Sequence, residues 1–189
     1  MTTSNGSRPI SISRTTSSPS SSPSGLAPRI LGVDPGSRFT GYGLVRPSGN
    51  RVLYERSGVI ATKTTIPFAD RLLAIYEGLT AVLDEFRPDE IAVETAFVRK
   101  SPLAALQIGH VRGVILLAAR RSGAAIYEYT APEVKLAVVG RGAAAKEQVA
   151  SMVRRLLPGV GAVREDETDA LAVALCHAHR APGRALHIR

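Results

Sequence analysis

The sequence predicts an α/β fold, a mixed five-stranded sheet flanked by helices, and three observations predict it. Apolar runs of strand length alternate with long helical periods in the order β-β-β-α-β-α-β-α. Four carboxylates, Asp34, Glu94, Asp166 and Asp169, fall where such a strand ends or a helix begins, which is how sheets of this kind present chemistry. The chain has 189 residues, 44% of them hydrophobic, enough to bury the core of one domain.

Residues 1–28 are rich in Ser, Thr and Pro and almost free of large apolar side chains. Such a stretch cannot repay the entropy of ordering, and a disordered tail is expected. Its lack of acids also fits a transit peptide, whereas no apolar core of a secretory signal is present. From Ile30 the texture changes. Residues 29–34 read as a buried strand, 41–46 as a second and 51–62 as a third, with Ser48-Gly49-Asn50 as a turn. Three strands with short links predict an antiparallel meander. Leu72, Ile75, Leu79, Val82, Leu83 and Phe86 then recur at helical spacing over 67–86, with Pro67 tolerated in the first turn. A fourth strand is expected at 90–94, a long helix at 102–121 and a fifth strand at 124–129. Helices at about 132–138, 146–157 and 166–179 complete a domain over 29–180, followed by a short basic tail at 181–189.

Net charge is +8, from 24 basic and 16 acidic residues. Residues 1–29 hold three arginines and no acid, so the remainder keeps 21 basic against 16 acidic residues and is basic in its own right. A basic domain with acids gathered inside it suggests a polyanion held electrostatically and processed by a metal. The single cysteine, Cys176, excludes an intramolecular disulfide and favours a reducing, cytoplasmic setting. The longest uninterrupted apolar run, 113–119, is far short of the roughly 20 residues of a membrane span.

Carboxylates beside a core are costly unless paired. Several converging from distant segments would repel one another, and a divalent cation is their natural neutraliser. Three of the acids also have a plainer reading when taken alone. Asp34-Pro35-Gly36-Ser37 would serve as an ordinary β-turn, and Asp166 and Asp169 as first-turn partners of a helix dipole. Glu94, ending the core run Ile91-Ala92-Val93, demands a partner.

The combination is more specific than its parts. The ordered segments DPGSRFTGYGLV (34–45), ETAFVRKSPLAALQIGHVRG (94–113), VKLAVVGRGAAAKEQV (134–149) and DETDALAVALCHAH (166–179) resemble the RuvC family. Its members are crossover junction endodeoxyribonucleases, or Holliday-junction resolvases, of ribonuclease-H-like fold. The resemblance implies that Asp34, Glu94, Asp166 and Asp169 are catalytic acids holding two Mg²⁺ ions, with Mn²⁺ as a substitute, and that cleavage leaves 5′-phosphate ends. Hard oxygen ligands favour Mg²⁺ on physical grounds as well.

The same resemblance makes Phe97 an aromatic wedge at the junction centre and Lys135 and Lys146 contacts to DNA near the cut. Arg99, Lys100, Arg112 and Arg141 are phosphate contacts by location only. It further implies four-way junction DNA as substrate and the RuvA–RuvB branch-migration complex as partner. A two-fold junction cut in two strands implies a homodimer, and the apolar helix over 102–121 is the candidate interface. A helix simply buried on the sheet would look the same.

The chain departs from the family at Ser101-Pro102-Leu103, where an Asn-containing turn is common, and at His110, where Gln is frequent. His177 and His179, two apart, are expected as a solvated helix end and Cys176 as packing. Two other readings compete: a nuclease of related fold acting on an RNA–DNA hybrid, and a catalytically silent nucleic-acid-binding module. An actin-like ATPase domain ranks last, because no second phosphate loop is found.

Overall fold

The structure, a computed structural model, describes residues 27–95 and 101–180. The two tails and the expected roles of Phe97, Arg99 and Lys100 therefore lie outside the described residues. Strands β1 (Ile30–Asp34), β2 (Phe39–Ser48) and β3 (Arg51–Ala61) form the meander. They are followed by α1 (Phe68–Phe86), β4 (Glu90–Thr95), α2 (Pro102–Ser122) and β5 (Ala125–Thr130). Three helices end the domain: α3 (Ala131–Val139), α4 (Lys146–Leu156) and α5 (Glu165–Arg180).

The sheet order is β3-β2-β1-β4-β5. β1, β2 and β3 pair antiparallel, while β4 joins β1 and β5 joins β4 in parallel, each after a helical crossover. Successive side chains of a strand face opposite ways, so β1 feeds two cores. Leu31 and Val33 pack with Ile75, Leu79, Val111 and Ile115 of α1 and α2. Ile30 joins Val134, Val153, Leu171 and Leu175 of α3, α4 and α5 on the other face. Burial on both faces explains why β1 and β4 read as continuous apolar runs rather than alternating ones.

The expected elements are all present, with each bound moved by at most one residue except in β2, which gains two at each end. That strand is longer at both ends than 41–46, because Phe39, Thr40, Pro47 and Ser48 continue the ladder with β3. Pro67 caps α1 from outside its first turn, and Ser101 caps α2 by accepting the Ala104 amide at 3.4 Å. The Gly49 turn takes φ 60°, which suits a tight hairpin link.

α5 lies against the middle of the sheet because that surface has little side chain. A Cβ on Gly32 would stand 2.1 Å from the Ala170 carbonyl oxygen, and one on Gly41 would stand 2.0 Å from that of Asp166. Glycine at these two positions lets helix and sheet backbones meet.

Candidate active site

β1 and β4 run in parallel register, with Val33 opposite Val93, so Asp34 and Glu94 follow as neighbours at one end of the sheet. Both point to the face covered by α5, sharing the parity of Gly32 and Ala92. The start of α5 sits on Gly41, and its first turns bring Asp166 and Asp169 to the same place. Three distant segments thus deliver four carboxylates to one end of the sheet.

The carboxylates interact strongly. The Asp34 carboxyl is pushed up to about 8, first by burial and then by the charges of Glu94, Asp169 and Asp166. Glu94 is raised by burial and by Asp169, with Lys146 and Lys135 pulling the other way. Asp169 is raised by burial, against the opposing pull of Lys146. Lys146 Nζ donates to Glu165 Oε1 at 2.7 Å and to Asp169 Oδ2 at 3.1 Å. Arg164 Nε lies 3.7 Å from Asp166 Oδ2. Among the described residues, no three Asp, Glu, His or Cys side chains are drawn together tightly enough to encage an ion. Unneutralised carboxylates repel, and two of these four lean instead on Lys146 and Arg164.

The donor set nevertheless suits a divalent cation. All four groups are hard carboxylate oxygens, held on a strand end, a neighbouring strand end and a helix start. Lys146 alone does not hold Asp34 at an ordinary carboxylate value against burial and three neighbouring carboxylates.

Lys135, half-buried on α3, and Lys146, at the start of α4, both stand close enough to act on Glu94. Arg141 is exposed on the loop between them. Arg112, expected as a phosphate contact, forms a short ion pair with Glu128 of β5. Its guanidinium lies beside an edge-strand acid, which sequence position did not reveal. His110 is exposed and meets the Phe68 ring edge-on at 5.9 Å.

His177 corrects the expectation of a solvated helix end. It is 2% exposed, its Nε2 is 2.9 Å from Glu90 Oε2, and its Nδ1 is 2.6 Å from the Tyr129 hydroxyl. The Tyr127 ring packs over it at 4.2 Å. α5 continues under the sheet beyond its acidic start and stays buried as far as Ala178. His179 is exposed, and Cys176 is buried as expected, its thiol pushed up to about 12 chiefly by desolvation.

Several contributors escaped the sequence reading. Gly41 was quoted as part of a motif without a role, although a glycine inside a strand signals close approach. Glu165 stands in the first turn of α5, where a helix-dipole partner is the plain reading, yet its pairing with Lys146 spans two helices. Phe39 and Arg164 meet at 4.3 Å from guanidinium carbon to ring centroid, a contact across more than a hundred residues.

A mixed 3-2-1-4-5 sheet with carboxylates at the ends of β1 and β4 and on the last helix defines a ribonuclease-H-like protein with an acidic centre of nuclease type. Residues 30–177 match the family model described as crossover junction endodeoxyribonuclease RuvC. A relative of that description from Syntrophotalea carbinolica is 54% identical over 151 residues, covering 80% of this chain and 94% of the relative. The Thermus thermophilus RuvC structure superposes with a TM-score of 0.75 at 36% identity, covering 82% of this chain and 96% of that one. The same protein in complex with Holliday junction substrate gives 0.76, covering 82% and 94%. The chain therefore belongs to the RuvC family of crossover junction endodeoxyribonucleases.

Proposed function

We propose that this protein is a divalent-metal-dependent endodeoxyribonuclease that resolves four-way DNA junctions by paired symmetric nicks during recombination and repair. The observation that carries the reading is the convergence of Asp34, Glu94, Asp166 and Asp169 at one end of the sheet, with Asp34 raised by burial and then by its three neighbours. Membership of the RuvC family supports the substrate.

Asp34 and Glu94 provide the rigid half of the metal-holding set, because strand ends fix their carboxylates before any ligand arrives. Asp166 and Asp169 provide the half carried by α5. When bound, a pair of Mg²⁺ ions supplies Lewis-acid stabilisation of the scissile phosphate and a water of lowered pKa. Lys135 and Lys146 border the acids and favour an approaching phosphodiester. Lys146 has to give up Asp169 when a metal binds there, and Glu165 remains as its partner. Phe97, three residues beyond Glu94, is proposed as the wedge at the junction centre, with Arg99 and Lys100 as backbone contacts.

The active unit is proposed to be a homodimer working in the cytoplasm, taking junctions from a RuvA–RuvB complex. α2 supports the dimer. Val111, Ile115, Ala118 and Ala119 are buried, while Leu103, Leu106 and Leu117 are exposed by 57 to 65%. By length and composition, α2 is also the one helix among the described residues apolar enough to cross a membrane. Its inner face belongs to the core shared with α1, and its Arg112 is bound to β5.

The test is Mg²⁺-dependent cleavage of a mobile four-way junction beside a linear duplex and an RNA–DNA hybrid, with Asp34→Asn as control. Paired nicks in the junction alone, reduced more than about 100-fold in the variant while junction binding persists, are expected. Cutting of hybrid or duplex instead would overturn the substrate, and equal cutting by Asp34→Asn would overturn the site.

A further inference from the structure

Beside the acidic centre lies a groove of about 470 Å³, walled by Arg38, Phe39 and the β3–α1 connection from Ala61 through Thr62, Lys63 and Thr64 to Thr65. It has the makings of an anion site. Among the described residues, two cations and three threonines line it, and no acid does. Arg38 and Lys63 are exposed and form no salt bridge among the described residues. Of the basic side chains beside the acids, Lys146 is already engaged with Glu165 and Asp169, and Arg164 with Asp166.

The groove is built rather than incidental. The Thr62 amide donates to the Arg38 carbonyl at 2.9 Å, and the Thr62 hydroxyl to the Ser37 carbonyl at 2.7 Å. The Thr40 hydroxyl donates to the Gly36 carbonyl at 2.8 Å, which closes the loop after Asp34. Arg71 supports that loop from behind, its Nη1 reaching the Ser37 carbonyl at 3.4 Å. Among the described residues, its buried Nε has no hydrogen-bond partner.

The groove is coupled to the chemistry through one ring. Phe39 carries the Arg38 guanidinium at 4.9 Å from its centroid and that of Arg164 at 4.3 Å, and Arg164 reaches on to Asp166. Arg38 is four residues from Asp34, a span of at most about 14 Å. A nucleic-acid strand rising about 3.4 Å per nucleotide covers that in about four steps.

We infer that this groove is a phosphodiester-binding subsite, in which Arg38 and Lys63 hold a backbone phosphate of the cleaved strand within about four nucleotides of the scissile bond. The inference rests on the nuclease reading above. It assigns substrate positioning to the β1–β2 loop and the β3–α1 connection.

The test is the salt dependence of junction binding by the full-length protein in EDTA, followed by fluorescence anisotropy. Arg38→Gln/Lys63→Gln is compared with Arg51→Gln/Arg87→Gln, which removes the same charge at the opposite end of the sheet. The groove variant is expected to lower the log–log salt slope by about 1.4 to 1.8, the loss of two phosphate contacts. The distant variant should leave the slope unchanged. In Mg²⁺, the groove variant should raise KM for the junction with kcat within about threefold, the signature of lost uniform binding. An unchanged slope, or equal loss in both variants, would overturn the subsite while leaving the nuclease intact. Absence of junction affinity in the unaltered protein would overturn the nuclease reading and the subsite with it.

Discussion

Gly41 and Asp166 meet backbone to backbone: a Cβ on Gly41 would lie 2.0 Å from the Asp166 carbonyl oxygen and 2.5 Å from its carbonyl carbon. A strand in the meander and the first turn of the last helix therefore press together without a side chain between them. The Asp166 and Asp169 carboxylates reach the ends of β1 and β4 because of this contact.

Gly41→Ala is expected to push the start of α5 off the sheet. The clash is with backbone, which no rotamer change relieves, so a destabilisation of about 1–3 kcal/mol is expected. For a domain of this size that lowers Tm by about 2–4 °C per kcal/mol. Junction cleavage should fall by more than the loss of folded protein explains. Full specific activity in the folded fraction would show that the close contact does not set the acids.

The metal-free protein should lose stability as pH rises. The folded-state value of Asp34, about 8, lies above its ordinary 3.8. Between those values the folded chain holds a proton that the unfolded chain has released, so the contribution is complete below about pH 4. It disappears as pH passes 8. Glu94 and Asp169, shifted in the same direction, add to the trend. Thermal melts in EDTA should give a higher Tm near pH 5.5 than near pH 8.5, and Mg²⁺ should recover more at the higher pH, where ionised carboxylates bind it. A Tm that rises across this range in EDTA would contradict the arrangement.

Lys146 and Glu165 should separate sharply on substitution. Their pair is exposed on both sides, 63% and 71%, and such pairs contribute little to stability. Glu165→Gln should change cleavage by about threefold or less. Lys146→Gln removes the cation that lowers both Glu94 and Asp169, and kcat should fall by about 100-fold, as for loss of one preorganised electrostatic contact. Equal effects would make Glu165 part of the machinery.

Leu106→Asp/Leu117→Asp should separate the proposed dimer without unfolding the chain. Both leucines are more than half exposed, so substitution costs the monomer only about 0.5 kcal/mol. Sedimentation should show the unaltered protein at twice the chain mass and the variant at the chain mass. Cleavage should change from paired nicks to slow single nicks. A variant that remains dimeric would move the interface off α2.

Much of this architecture is legible in the order of residues, for local reasons. Strand runs such as Ile30-Leu31-Gly32-Val33 are set by continuous apolar character. The α1 periodicity is set by the 3.6-residue turn, and the four acids stand out because charge at the end of a core run is costly. Even the ambiguity of α2 was visible, since its apolar residues spread around the helix. Its inner and outer faces were assigned by α1, which covers Val111 and Ile115 and leaves Leu106 and Leu117 in water.

Other features depend on partners distant in the chain. His177 looked like a polar helix end, yet Glu90, Tyr127 and Tyr129 enclose it, because α5 runs on beneath β4 and β5. Arg112 looked available for DNA and is held by Glu128. The sequence by itself determined the elements, the acids and the family, because these rest on periodicity, residue chemistry and motif order. Only the tertiary structure decided which charges are neutralised, where helix and sheet touch, and which cations stay open beside the acids. Those depend on distances between segments that chain order does not encode.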